Sequence, residues 1–242
     1  MTTIDLLKAH SSVRDFKDVP LSNKTKAQLI SAAQMASTWQ LIQATSIIDI
    51  SDQKLREKVA NVSPSKGFVI RTGAYFIFVA DLNRQAVILK SHHHSLAGIS
   101  SMDSLMAAMI DTMIAAQNMV VAAESLGLGI CYIGGIRNDL PLLTKLLNLP
   151  KYTVPLVGLT IGVPRRRAKI KKPRLPQRNM AFVNQYDQAA ANDLNDYDHT
   201  MAEYYQKRHS STSDWSTKML KVFSSVRRPE MEDYLRSQGF NI

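Results

Sequence analysis

Between Ser104 and Leu126 the chain carries apolar residues on almost every side of a helix. Leu105, Met109, Thr112, Ala116, Met119 and Ala123 recur at the spacing of one face, and the opposite face is also rich in Ala, Met and Val. A helix without a polar side has nothing to offer water. It must therefore be the central helix of a fold, a subunit interface, or both. No apolar run is expected to span a bilayer, because Asp111, Gln117, Asn118 and Glu124 interrupt this one. A buried helix of a non-membrane protein is the expectation.

The rest of the chain can be arranged around that helix. Ile4, Leu6 and Leu7 suggest a short helix ending near His10. Ser22 and Asp52 are N-cap residues for helices reaching about Ala36 and Ala60, the first with Leu29, Ile30, Ala33 and Met35 facing inward. Lys66-Gly67 reads as a turn, and His92-His93-His94 as a polar loop. Ser46–Ile50, Tyr75–Ala80, Ile130–Ile133 and Val154–Ile161 read as strands, the second buried on both faces. Gly127 suits the C′ position of the long helix. Asp139 opens a helix to about Leu147, and Asn195–Lys207, Asp214–Val226 and Pro229–Ser237 read as a helical tail. Helices and strands in this irregular order predict an α+β fold without a βαβ repeat.

The chain has 242 residues, of which 45% are hydrophobic and 21% charged, enough for a sizeable core. Its single cysteine, Cys131, rules out an intrachain disulfide and a cysteine-based structural zinc site. No metal site is expected. Cys131 lies in an apolar run, as a buried small hydrophobe would. The N-terminal residues lack the basic and apolar regions of a secretory leader, and a cytoplasmic location is expected. The net charge of +10 attracts anions, whether nucleic acid, phosphorylated cofactors or acidic lipid. No helix-turn-helix, RRM or zinc signature supports nucleic acid. GxGxxG, Walker A, GxSxG and HExxH motifs are absent as well.

Four small clusters carry chemical potential, each with a plainer alternative. His10, Ser12 and Arg14 alternate along an extended segment and would suit a phosphate, or else form a helix end with a surface arginine. Ser37, Thr38, Trp39 and Gln40 could bond and wall an aromatic ligand, or simply make a polar loop. Tyr132, Ile133, Gly134 and Gly135 end a strand with two glycines, permitting close backbone approach to a ligand or a tight turn. Lys172 and Arg174 flank Pro173, as a phosphate site or a solvated basic stretch would have them.

In combination these segments resemble one family. His10-Ser11-Ser12-Val13-Arg14-Asp15-Phe16 is similar to an N-terminal H-x-S-x-R-x-F motif of nitroreductases. Gly127-Leu128-Gly129 through Tyr132-Ile133-Gly134-Gly135-Ile136-Arg137-Asn138 resembles their YIGGxRN segment, and Val154–Pro164 their P-x-x-G-L-x-x-G-x-P strand. Lys172-Pro173-Arg174-Leu175-Pro176 matches K-P-R-L-P, while Tyr204-Tyr205, Arg208 and Trp215-Ser216 resemble the tail of the NADPH nitroreductase/flavin reductase subgroup. The resemblance covers nearly the whole chain.

It implies an α+β, nitroreductase-like fold: a mixed central sheet flanked by helices in a domain-intertwined homodimer. Residues 1–242 would be one domain, with 165–242 an extension wrapping the partner. FMN would lie at the subunit interface. By position, His10, Ser12 and Arg14 would meet its phosphate and ribityl chain, and Lys172 and Arg174 the phosphate or pyrimidine side. Ser37, Thr38, Trp39 and Gln40 would approach from the other subunit. Tyr132, Ile133, Gly134 and Gly135 would lie beside the ring, and Lys66, where the family often has Gln, near its polar edge. The flavin would carry the chemistry with no catalytic side chain required. Hydride would pass in a ping-pong scheme from NADPH or NADH to nitroaromatic, quinone or flavin acceptors. Arg208 matches a position associated with the NADPH 2′-phosphate; His209–Ser213 supplies no second arginine. Trp39 and Gln40 stand where the subgroup carries small polar residues. Two other readings compete: a flavin-binding sensor or storage protein without turnover, and a nucleic-acid-binding protein.

Overall fold

The computed structural model describes residues 2–167, 170–210 and 213–242. The chain divides into two compact units, Met1–Ala168 with Glu230–Ile242, and Lys169–Pro229.

In the first unit the order is α1 (Thr3–Ala9), α2 (Asn23–Gln34), β1 (Thr45–Asp49), α3 (Gln53–Asn61), α4 (Lys66–Val69), β2 (Ala74–Asp81), α5 (Asn83–Ser91), α6 (Met102–Ser125), β3 (Gly129–Ile133), α7 (Leu140–Leu146) and β4 (Thr153–Gly162). The second unit holds α8 (Gln188–Asn192), α9 (Asn195–Lys207) and α10 (Trp215–Phe223), and α11 (Met231–Ser237) returns to the first. The sheet order is β1-β2-β4-β3, and all three pairings are antiparallel. The α+β class holds, but the expected mixed sheet is not what this chain forms among its described residues. The continuously buried β2 and β4 result from helices on both faces of the sheet, not from parallel pairing. Phe76 and Phe78 pack with Leu29 and Met119 on the α2–α6 face. Tyr75, Ile77 and Val79 pack with Val59 and Leu143 on the α3–α7 face. Pro155 is tolerated inside β4 because the register shifts beside it, between Phe78 and Val79.

The long helix takes the central place its composition demanded. Ser101 caps it and Gly127 follows it at φ 75°. By length and hydropathy α6 would suffice to cross a bilayer, contrary to the expectation that no run would. In the fold it packs on the sheet through Leu105, Ala108, Thr112, Ala116, Met119 and Ala123. Met109, expected on that face, turns outward with Met106, Ile110, Met113 and Ile114, each at least 38% exposed. Asp111 and Glu124 are buried instead. Met35 is likewise exposed rather than inward. Lys66-Gly67 opens the short helix α4 rather than a turn, its first N–H bonded to the Ser63 carbonyl.

The second unit has its own small core of Tyr197, Met201, Tyr204 and Tyr205, with Leu175 and Trp215 against it. Residues 230–242 pack within the first unit, where the Tyr234 and Thr144 hydroxyls bond at 2.8 Å.

Candidate functional site

The segment after α1 is laid along the sheet by backbone bonds. Val13 N–H donates to the Ile130 carbonyl at 2.8 Å, Lys17 N–H to Val163, and Phe16 bridges Pro164. Gly129 permits the approach: a β-carbon there would lie 2.7 Å from the Val13 side chain. This docking carries His10, Ser12 and Arg14 to the β3 strand.

His10 Nδ1 lies 2.7 Å from Glu124 of α6, a pairing that joins residues far apart in sequence. The Ser12 hydroxyl and the Arg14 charge both act to lower the pKa of the Cys131 thiol. Burial nevertheless dominates and pushes the Cys131 thiol up. Cys131 is 2% exposed. At pH 8 in its native state it should leave a disulfide-exchange reagent such as DTNB unconsumed, and consume one equivalent after denaturation. Prompt reaction of the native protein would refute this placement.

Arg14 is exposed and lines a cavity of about 120 Å³ with Asp15, Phe16, Phe68, Arg71 and Arg165. Asp15 is engaged by Arg165 at 3.4 Å and Arg166 at 2.6 Å. Arg14 forms no ion pair among the described residues.

At the other end of β3, half-buried Tyr132 donates its hydroxyl to Gln117 at 3.3 Å. Burial, with the Glu124 charge, pushes its phenol up. Ile133 is buried, and Gly134 and Gly135 begin a short 3-10 turn. A β-carbon on Gly135 would lie 2.3 Å from the Ser63 hydroxyl, so only glycine fits. Ser63 also accepts from Ser65 N–H, which leads into α4 and exposed Lys66. His10, Ser12, Arg14, Lys66, Tyr132, Ile133, Gly134 and Gly135 thus gather around β3.

Ser37, Thr38, Trp39 and Gln40 do not join them within one chain. Thr38 and Trp39 are tied to Asp111, which lies about 20 Å from Glu124 along α6 at about 1.5 Å per residue. Trp39 is 49% exposed. Lys172, Arg174 and Arg208 belong to the second unit. Lys172 stands 6.0 Å over the Tyr205 ring, Arg174 donates to the Lys172 carbonyl, and Arg208 donates to the Tyr204 hydroxyl at 3.2 Å. Within the basic stretch Ala168 and Lys169, and within the run after Arg208 Ser211 and Thr212, lie outside the described residues.

The gathered residues fit a phosphorylated ring ligand such as the expected FMN. Cations supply counter-charge, and a glycine strand end admits a ring close to backbone. Sequence reasoning missed Asp111, Glu124 and Ser63 as supporting residues. The one signal for the first two was a carboxylate inside an otherwise apolar helix.

Comparison with known proteins identifies the family. Residues 7–163 match the nitroreductase family and residues 172–242 the nitroreductase family C-terminal domain. The chain is 36% identical to the FMN reductase (NADPH) of Bacillus subtilis, covering 99% of this chain and 98% of that one. It is 38% identical to the oxygen-insensitive NADPH nitroreductase of Salmonella typhimurium, covering 98% of each. The solved structure of NfrA1 from B. megaterium superposes with a TM-score of 0.94 at 36% identity, covering 99% of both chains. The chain belongs to the nitroreductase family, in its NADPH nitroreductase/flavin reductase subgroup.

Proposed function

We propose that this protein is an FMN-dependent NAD(P)H oxidoreductase that acts as a cytoplasmic homodimer. The observation that carries the reading is the convergence of His10, Ser12 and Arg14 on the glycine-ended strand β3, supported by full-length similarity to FMN reductases and nitroreductases. When bound, FMN supplies the two-electron chemistry, taking hydride from NADPH or NADH and reducing a nitroaromatic, quinone or flavin acceptor.

The chain's own residues bind and orient. Arg14 and His10 would hold the phosphate side, with Ser12 donating beside them and Lys172 and Arg174 adding positive charge. Lys66 would face the polar edge of the ring, and Tyr132 to Gly135 its plane. Arg208 would meet the nucleotide. Ser37–Gln40 stands too far along α6 to reach β3 of its own chain, which supports a second copy supplying it. The exposed stripe of Met106, Met109, Ile110, Met113 and Ile114 is apolar enough to be covered by a second copy. The expected C-terminal extension from residue 165 would add to that cover.

The purified protein should bind FMN, show a flavin absorbance band, and lose it when NADPH or NADH is added without oxygen. A band that persists with both nucleotides would point to a sensor or store instead. Failure to take up FMN would sink the reading altogether.

A further inference from the structure

The turn between α2 and β1 is the densest run of strained backbone in the first unit. Gln40, Leu41 and Gln43 have φ of 43°, 57° and 49°, and none is glycine. Each such residue costs of order 1–3 kcal/mol and persists only where its surroundings over-determine it. Leu41 is 73% exposed, so burial of its side chain does not offset the cost.

Asp111 supplies much of the constraint. It is 3% exposed, and its carboxylate accepts from the Thr38 hydroxyl, the Trp39 N–H at 3.0 Å and the Ala44 N–H at 3.4 Å. The Thr38 hydroxyl itself accepts from Gln43 N–H at 2.9 Å. Groups before and after the turn therefore converge on one buried carboxylate. Arg84 fixes the far side, donating to the Gln43 and Thr45 carbonyls at 2.8 Å each. What the clamp presents is Trp39, its main chain fixed and the residue about half exposed.

We propose that Asp111 is a positioning residue for the electron acceptor: by fixing the Trp39 main chain it sets the indole as a wall of the acceptor pocket and favours planar aromatic acceptors. This rests on the reading above, in which Ser37–Gln40 of one subunit approaches the flavin of the other. A fixed indole offers a stacking face whose ordering has already been offset by the fold. A small inorganic anion gains nothing from that face.

The test uses the FMN-loaded protein. The chain has two tryptophans, so Trp215→Phe leaves Trp39 as the reporter. In that background, FMN added to stripped protein should quench Trp39 emission. Asp111→Asn replaces one acceptor oxygen with a donor that faces groups already donating. It should reduce the quenching and raise KM for a planar naphthoquinone about ten-fold, the loss of roughly one charge-assisted hydrogen bond, while KM for ferricyanide stays unchanged. Thr38→Val should likewise reduce the quenching and raise the quinone KM, and Thr38→Ser should restore the parent values. These two variants carry the test if Asp111→Asn does not fold. Undiminished quenching with an unchanged quinone KM, or equal losses for quinone and ferricyanide, overturns the proposal and leaves the flavin reading intact. Absence of quenching in Trp215→Phe itself overturns the placement of the turn beside the flavin, and the proposal with it.

Discussion

Arg56→Ala should lower the melting temperature by about 6–12 °C, because it removes a buried cation whose every hydrogen bond goes to backbone. The side chain leaves α3 and is 7% exposed. Its Nε and Nη2 donate to the Ile50 carbonyl at 3.0 and 2.9 Å, and Nη1 donates to the Thr72 carbonyl at 2.9 Å. Ile50 follows β1 and Thr72 precedes β2, so one planar fork ties the end of one strand to the start of the next. Burial holds the guanidinium below its usual range; Asp49 and Asp18 partly counter this through their charge. Alanine would leave two carbonyls without these donors and a void around them, a loss of about 3 kcal/mol. Lysine restores the charge but not the fork and should recover only part of the loss. Methionine fills space without donating and should behave like alanine. Thermal unfolding followed by circular dichroism reads all three, and a shift below about 2 °C for Arg56→Met would show that the fork is not a stabilising element.

Arg56 also shows where sequence reading stops. Helix starts were legible because their physics is local: the caps at Ser22, Asp52, Asp139 and Asp214 all bond the N–H three residues on. The four strands were legible from continuous or alternating apolar runs. Helix α5 was not, because it has no side-chain cap, Ala86 is its one buried residue, and Val87 and Ile88 face outward. Strand direction was not legible either, since a sheet covered on both faces demands apolar runs whichever way its strands point. The site divides the same way. Motif order identified the residues around β3, but their supports come from distant positions. Glu124 meets His10 and Asp111 meets Thr38 only once α6 is docked, and no spacing rule connects them. A carboxylate in an apolar helix says that a partner exists without saying which.

The largest functional effect should come from Arg14→Met, which should weaken FMN binding by about 10- to 100-fold, as expected when a charge-assisted contact worth about 1.5–3 kcal/mol is lost. The cavity that Arg14 lines holds Arg71 and Arg165 against a single carboxylate, Asp15, which Arg165 and Arg166 already engage. Its lining is therefore net positive; neither Arg14 nor Arg71 forms an ion pair among the described residues, and Arg71 is held by the Gly67 carbonyl at 3.1 Å. Arg14→Lys keeps the charge without the planar fork and should fall between parent and Met. Riboflavin, which lacks the phosphate, separates two origins of the loss. If Arg14 holds the phosphate side, Arg14→Met weakens FMN and leaves riboflavin unchanged; if it meets the ring, both weaken together. Glu124→Gln offers an independent check on the same side of the ligand. It removes the charge that orients His10 from 2.7 Å without touching Arg14, so its loss should add to that of Arg14→Met rather than replace it. Raised salt should narrow the gap between parent and Arg14→Met, because screening weakens what an exposed cation contributes. An FMN dissociation constant that Arg14→Met leaves unchanged would remove the arginine from the site and with it the phosphate role assigned to the segment from His10 to Arg14.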